Sequence, residues 1–190
     1  MKPKIYITRM LPRAGLDLLA EEYEVEVNPH DRVATREELA AGIKGKDALL
    51  SLLTDTVDAE VMDAEPRLKV IANYAVGFNN IDVAAATERG ILVTNTPGVL
   101  TETTADLAFA LLMACARRVV EADGFMRAGK YEGWGPMLFL GRDIHGKTLG
   151  IVGFGRIGQA MAQRGAGFNM KILYHDAIRA PEELEKAYNA

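Results

Sequence analysis

Short apolar or β-branched runs alternate with amphipathic stretches from Lys4 onward, the pattern of a parallel α/β sheet. Ile5-Tyr6-Ile7-Thr8 predicts a strand, Pro12 to Glu22 a helix, and Tyr23 to Val27 a second strand. Thr35 to Lys44 predicts a helix opened by the capping box Thr35-Arg36-Glu37-Glu38, whose hydroxyl and carboxylate satisfy reciprocal backbone donors. Ala48 to Leu53 is an apolar run bounded by charge and turn residues, hence a buried strand. Then come a short helix over Val57 to Ala64 stopped by Pro66, a strand over Leu68 to Ala72, a helix over Asp82 to Arg89 capped by Gly90, and a strand over Ile91 to Thr94. These strands, all before residue 98, make a complete small doubly wound domain.

Asn95-Thr96-Pro97-Gly98 is the clearest breaker cluster and sets a domain boundary, giving residues 1–98 and 99–190. A long helix is expected from Glu102 to Met126. Its segment Leu107-Ala108-Phe109-Ala110-Leu111-Leu112-Met113 is apolar on nearly every face, which predicts burial on several sides at an interdomain or subunit interface. Gly129 to Lys147 carries Trp134, Leu138 and Phe139 without any period, and reads as an ordered loop whose apolar residues pack on something, such as another subunit. A new unit starts with the strand Thr148 to Val152, a helix through about Gly165, the strand Lys171 to Tyr174, and a helix beginning at Pro181. This is the first βαβ of a dinucleotide fold, which in full has two such halves.

Apolar residues make up 49% and charged residues 25%, enough to bury a core without metals or disulfides. The net charge of -4, with signs interspersed, supplies no cationic stripe for a phosphate backbone. No apolar run approaches the roughly 20 residues that span a bilayer. Nucleic acid and membrane are therefore not expected as partners, and a cytoplasmic location is. Cys115, the single cysteine, lies within an apolar stretch and is expected to pack as a small hydrophobe. No metal-ligand cluster, nucleophile elbow or Ser/His/Asp arrangement stands out. His30, His145 and His175 sit in a polar turn, a loop and beside Asp176, and none reads as a catalytic base.

Chemistry concentrates in three places. Gly153-Phe154-Gly155-Arg156-Ile157-Gly158 follows the buried strand Gly150-Ile151-Val152 and opens a helix. Gly153 suits the tight turn, Gly155 a close approach of a pyrophosphate, and Gly158 close packing of helix on strand. Amides at the helix start favour the phosphates. Asp176, at the end of the next strand, has the place of the acid that accepts adenosine ribose hydroxyls, so NAD is favoured over NADP, with Arg179 leaving dual specificity open. The plain alternative is a strand-turn-helix with glycines used for packing alone. Asn73 to Asp82 lies at the C-terminal end of a parallel strand, where open α/β sheets bind ligands. Gly77 there could expose amides to a carboxylate, or the segment could be an Asn/Gly turn before a helix capped by Asp82. Thr101-Glu102-Thr103-Thr104-Ala105-Asp106 begins the long helix and could be no more than its N-terminal cap.

Together these segments resemble the D-isomer-specific 2-hydroxyacid dehydrogenase family over essentially the whole chain. The matches are Asn73 to Asp82, Val93-Thr94-Asn95-Thr96-Pro97, Thr101 to Arg118, and Gly146 to Gly158. Within the family the N-terminal stretch looks most like glyoxylate and hydroxypyruvate reductases. Phosphite and phosphoglycerate dehydrogenases are related alternatives, although phosphite dehydrogenases place a Lys where this chain has Val76, and the loss of that cation argues against a phosphite substrate. The resemblance implies an α/β chain with a flavodoxin-like substrate domain over 1–98, followed by the first part of a Rossmann NAD-binding domain over 99–190. It implies that the Val76 and Gly77 amides hold the substrate carboxylate, that Leu53 lines the cleft, and that Val76 and Thr104 border the nicotinamide. Gly153, Phe154, Gly155, Arg156, Ile157, Gly158 and Asp176 would bind the rest of the cofactor. The region 101–140 would form a homodimer interface.

The expected activity is NAD(H)-dependent interconversion of a small 2-keto acid, glyoxylate or hydroxypyruvate, with the D-2-hydroxy acid. The family's catalytic Arg, Glu and His fall beyond Ala190, so no catalytic residue is assigned in this chain, and the 190 residues alone are expected to be inactive. They are also expected to aggregate through an uncovered edge near Thr148 to Val152. A non-catalytic NAD-binding truncation or nucleotide sensor is the alternative. Adenosylhomocysteine hydrolases share a related cofactor fold, but the Val76-Gly77 segment disfavours them.

Overall fold

Five parallel strands, β1 (Lys4–Ile7), β2 (Glu24–Val27), β3 (Ala48–Ser51), β4 (Val70–Asn73) and β5 (Leu92–Thr94), pair in the order β2-β1-β3-β4-β5 in a computed structural model that describes residues 2–190. This is the flavodoxin-like doubly wound order, in agreement with the fold class expected. Helices α1 (Arg13–Glu22), α2 (Arg36–Gly42), α3 (Ala59–Asp63) and α4 (Val83–Glu88) connect the strands. The register aligns Tyr6, Leu49, Ile71 and Val93 in one row across the sheet. Side chains of such a row share a face. That face packs against Leu39 and Ile43 behind α2, Val61 and Met62 of α3, and Ala85 and Ala86 of α4.

Local chemistry sets the ends of these elements. Thr35 and Glu38 form both halves of the capping box on α2. Asp58 accepts from the Val61 amide at 3.1 Å and Asp82 from the Ala85 amide at 2.9 Å, starting α3 and α4. The cap at Asp58 corrects the expected helix start at Val57, which instead bridges to Ile81 and is fully buried. Gly90, at φ +68°, takes the left-handed conformation that ends α4.

The chain divides into two units, Met1–Pro97 and Gly98–Ala190. The second contains α5 (Thr101–Ala116), α6 (Val119–Arg127), β6 (Thr148–Val152), α7 (Arg156–Gly167), β7 (Lys171–His175) and α8 (Glu182–Tyr188). β6 and β7 pair in parallel, with Val152 opposite His175. Leu149, Ile151, Phe154, Ala162 and Ile172 centre its core, and Phe109 of α5 meets Phe168 at 5.1 Å between ring centroids.

Two expectations for this region need correction, the length of the long helix and the packing of Cys115. The helix from Glu102 to Met126 is broken: Arg118 adopts a left-handed φ of +55° between α5 and α6. Its guanidinium bonds Glu121 and lies 5.2 Å from the centre of the Phe139 ring, which offsets that unusual conformation. Within the chain α5 buries Ala105 and Phe109, half-buries Leu112 and Met113 against the second core, and leaves Leu107 and Leu111 exposed. Cys115 is likewise exposed rather than packed. In the loop, Trp134 is 83% exposed, so its ring packs on nothing within the chain. Among the described residues no helix is long and apolar enough to cross a membrane.

Candidate functional site

In the first unit, a polar network at the C-terminal ends of β3 and β4 shapes the segment Val76-Gly77. Ser51 closes β3 and Asn73 closes β4; both are buried, and the Ser51 hydroxyl donates to Asn73 Oδ1 at 3.0 Å. Asn73 Nδ2 donates to the Gly77 carbonyl at 2.8 Å and to Asn80 Oδ1 at 3.0 Å. Asn80 Nδ2 in turn donates to the carbonyls of Leu52 and Asp55, at 3.1 and 3.0 Å. Asn95 Nδ2 donates to the Val76 carbonyl at 2.7 Å. Buried amides are held where their hydrogen bonds are made, so this network fixes the loop.

Both carbonyls of Val76-Gly77 are therefore engaged. Among the described residues the amides of Val76, Gly77 and Phe78 donate to no protein acceptor. Adjacent backbone amides with no protein acceptor are free to donate to a bound anion. Leu53 borders them: a side chain added at Gly77 would place its Cβ 3.7 Å from Leu53 Cδ1. Leu53 lies past the end of β3 rather than in the strand, and its side chain is more than half exposed, as is the outward side of the loop at Phe78.

In the second unit, the glycines hold a turn between β6 and α7. Gly153 sits at φ +90° and its amide donates to the His175 carbonyl at 2.8 Å. A Cβ on Gly158 would stand 2.1 Å from the Gly153 carbonyl oxygen, so no side chain fits. Gly155 caps α7 without a side-chain hydrogen bond, leaving the amides of the first turn uncapped, and the space where its Cβ would project is open. Arg156 and Ile157 are exposed in that turn.

Phe154 serves the core instead: its ring stacks on Tyr174 at 4.3 Å and meets Tyr188 edge-on at 6.0 Å. Its amide donates to Asp176 Oδ2 at 2.6 Å. That bond, with a longer one from the Ile178 amide, holds the Asp176 carboxyl below the usual aspartate range, so it is ionised and aimed at the glycine turn.

Thr104 lies exposed in the first turn of α5. That turn is tied to α7 by Arg164, whose guanidinium reaches Glu102 at 3.0 Å and Asp106 at 2.8 Å while also donating to the Ala160 carbonyl at 2.9 Å. Arg164, Asn95, Ser51 and Asn80 have roles that sequence reasoning missed. Asn95 looked like a turn former, and the partners of Arg164 lie 58 and 62 residues away, beyond any local pattern.

The structure thus brings Leu53, Val76 and Gly77 together in one unit. It brings Gly153 to Gly158 and Asp176 together in the other, with Thr104 on a helix anchored to α7. Among the described residues no group of three or more His, Cys, Asp or Glu could hold a metal ion. His145 is placed against Asn169, with 3.0 Å between its Nε2 and Nδ2.

Residues 5–180 match the family described as D-isomer specific 2-hydroxyacid dehydrogenase, catalytic domain. A glyoxylate reductase of Thermococcus gammatolerans is 53% identical over 190 residues, 98% of this chain and 57% of that protein. The chain thus spans little more than half the length of such relatives. Among solved structures, the TT0316 protein of Thermus thermophilus superposes with a TM-score of 0.87 at 49% identity, over 94% of this chain and 57% of that one. A D-lactate dehydrogenase of Aquifex aeolicus, complexed with NAD and lactic acid, has a TM-score of 0.77 at 25% identity, over 96% of this chain and 54% of the other.

Proposed function

The chain belongs to the D-isomer specific 2-hydroxyacid dehydrogenase family, and on that premise we propose that it serves an NAD(H)-dependent oxidoreductase interconverting glyoxylate or hydroxypyruvate with the D-2-hydroxy acid. Residues 1–98 are the substrate domain and 99–190 belong to the NAD-binding domain. The observation that carries this reading is the glycine turn facing Asp176: Gly153 in a left-handed conformation, Gly158 with no room for a Cβ, and an ionised carboxylate bonded to the turn's own amide.

These residues fit a dinucleotide. The uncapped amides after Gly155 suit its diphosphate, and open space at Gly155 admits it. Asp176, ionised and therefore purely an acceptor, suits the ribose hydroxyls. Gly153, Gly155, Arg156, Ile157, Gly158 and Asp176 form this part of the site, Phe154 contributes its backbone and packs beneath the turn, and Val76 and Thr104 border the nicotinamide. When bound, the cofactor supplies or accepts the hydride.

The Val76 and Gly77 amides bind the keto acid's carboxylate, and Leu53 walls the same pocket. Their function is orientation: a carboxylate held at fixed amides presents its neighbouring carbonyl in one pose, which is how positioning lowers a barrier. The reduction also needs a proton donor. None of the described residues is assigned that role, and we place the family's Arg, Glu and His outside them. Exposed Leu107 and Leu111 of α5 and Trp134 of the loop form a homodimer surface in this reading.

Loss of NADH absorbance when glyoxylate or hydroxypyruvate is added to the protein isolated from its source tests the proposal. Keto-acid-dependent oxidation with NADH supports it. Nucleotide binding without turnover of any 2-keto acid would favour the sensor alternative.

A further inference from the structure

A shallow cavity of about 310 Å³ opens beside the glycine turn, lined by Tyr174, His175, Asp176, Arg179 and Glu185. Among these residues Arg179 is the one with a permanent positive charge, and it lies three positions beyond Asp176. Its side chain is 80% exposed, yet its guanidinium is engaged. Nε bonds Glu185 Oε1 at 2.9 Å and Nη2 bonds Oε2 at 2.8 Å, a two-point pairing that matches guanidinium to carboxylate. Glu185 is the fixed partner: its side chain is only 13% exposed and also accepts from the Tyr174 hydroxyl, whose oxygen accepts from the Ala180 amide at 3.0 Å.

We propose that Glu185 determines cofactor choice: by holding Arg179 in this ion pair, it withholds from the adenosine 2′ position the cation that a 2′-phosphate requires. The inference rests on the dinucleotide reading of the glycine turn and deepens it. A ribose 2′-hydroxyl can donate to the Asp176 carboxylate. A 2′-phosphate cannot, and meets two carboxylates in a cavity whose one permanent cation is already neutralised. Arg179 and Tyr174 hold the Glu185 carboxyl at about 2, so the clamp stays charged throughout the neutral range. Glu185 acts through Arg179 and is a positioning residue.

The test is the pair of dissociation constants for NADH and NADPH, read from nucleotide fluorescence on the protein and three variants, with a thermal melt on each. Glu185→Gln keeps the shape of the side chain and removes its charge. It should tighten NADPH about fivefold while leaving NADH within about twofold, the scale of one new charge-assisted hydrogen bond at an exposed site. Adding Arg179→Ala to that variant should erase the effect. Arg179→Ala alone, at an exposed position, should leave NADPH binding unchanged, because the cation is already withheld; this arm stands even if Glu185→Gln fails to fold.

A change in packing alone would weaken both nucleotides together and leave their ratio fixed. If wild type binds NADH and the ratio does not move in folded Glu185→Gln, Glu185 does not govern selectivity, although the dinucleotide reading survives. If Arg179→Ala alone weakens NADPH several-fold, Arg179 is already available and the proposal is wrong. Wild type that binds neither nucleotide removes the dinucleotide reading and the proposal with it.

Discussion

The side-chain amide of Asn95 donates to the carbonyl of Val76 at 2.7 Å, from a position 19 residues further along the chain. With Asn73 on the Gly77 carbonyl, it orients two successive peptide groups so that their amides have no protein acceptor. Loss of this anchor lets the loop rotate. Asn95→Ala should raise the keto-acid KM about tenfold, corresponding to about 1.4 kcal/mol, with a smaller change in kcat and in NADH affinity. Initial-rate kinetics check this, and a fall in kcat at unchanged KM would place Asn95 outside the carboxylate site.

Two glycines of the same turn should answer differently to one methyl group. Gly158→Ala drives a Cβ to 2.1 Å from the Gly153 carbonyl, so the turn or the helix must shift, at a cost of about 1–3 kcal/mol. Gly155→Ala meets nothing within 4 Å and keeps an ordinary backbone conformation, with φ -71°. It should melt near the wild-type temperature yet lose NADH affinity, because the methyl occupies the approach to the diphosphate. Thermal melts with nucleotide titrations separate the effects; equal destabilisation by both would contradict the packing argument.

The capping box gives a pH signature. Hydrogen bonds from Arg32 and the Thr35 amide hold the Glu38 carboxyl at about 2, against 4.5 for a free glutamate. A group depressed on folding stabilises above its unfolded value, and that contribution is lost as pH falls from about 4.5 through about 2. Wild type should therefore melt higher than Glu38→Gln at pH 7, with the gap closing across that window. A gap that persists below pH 2 would show that shape, not charge, makes the difference.

The outer face of α5 provides a test of assembly. Leu107 is 62% and Leu111 57% exposed within one chain. Leu111→Glu puts a charge where the proposed interface must be dry, and should halve the mass measured by sedimentation equilibrium. A wild-type protein that sediments as a monomer would remove the interface outright.

Much of the fold was readable because each strand and helix announces itself locally. The run Ala48 to Leu53, the capping box at Thr35 and the stop at Gly90 all rest on neighbours within a few residues. Boundaries slipped where a tertiary bond intervened, as at Val57, which joins Ile81 instead of α3. The break at Arg118 carries no Gly or Pro, and its partner Phe139 lies 21 residues on, so periodicity ran straight through it. The apolar length of α5 suggested burial without revealing how little of it this chain covers. For the candidate site, the glycines and Asp176 stand out by spacing, whereas Asn95, Arg164 and Glu185 act across turns that sequence alone does not close.

Everything proposed for the two sites converges on hydride transfer between a nicotinamide cofactor and a 2-keto acid. Supplying the protein isolated from its source with NADH deuterated at the transferring C4 position together with hydroxypyruvate, and examining the product by mass spectrometry and chiral separation, follows that hydride itself. The expected product is D-glycerate with one deuterium at C2. Unlabelled product, the L isomer, or no product from a protein that binds NADH would contradict the proposed function.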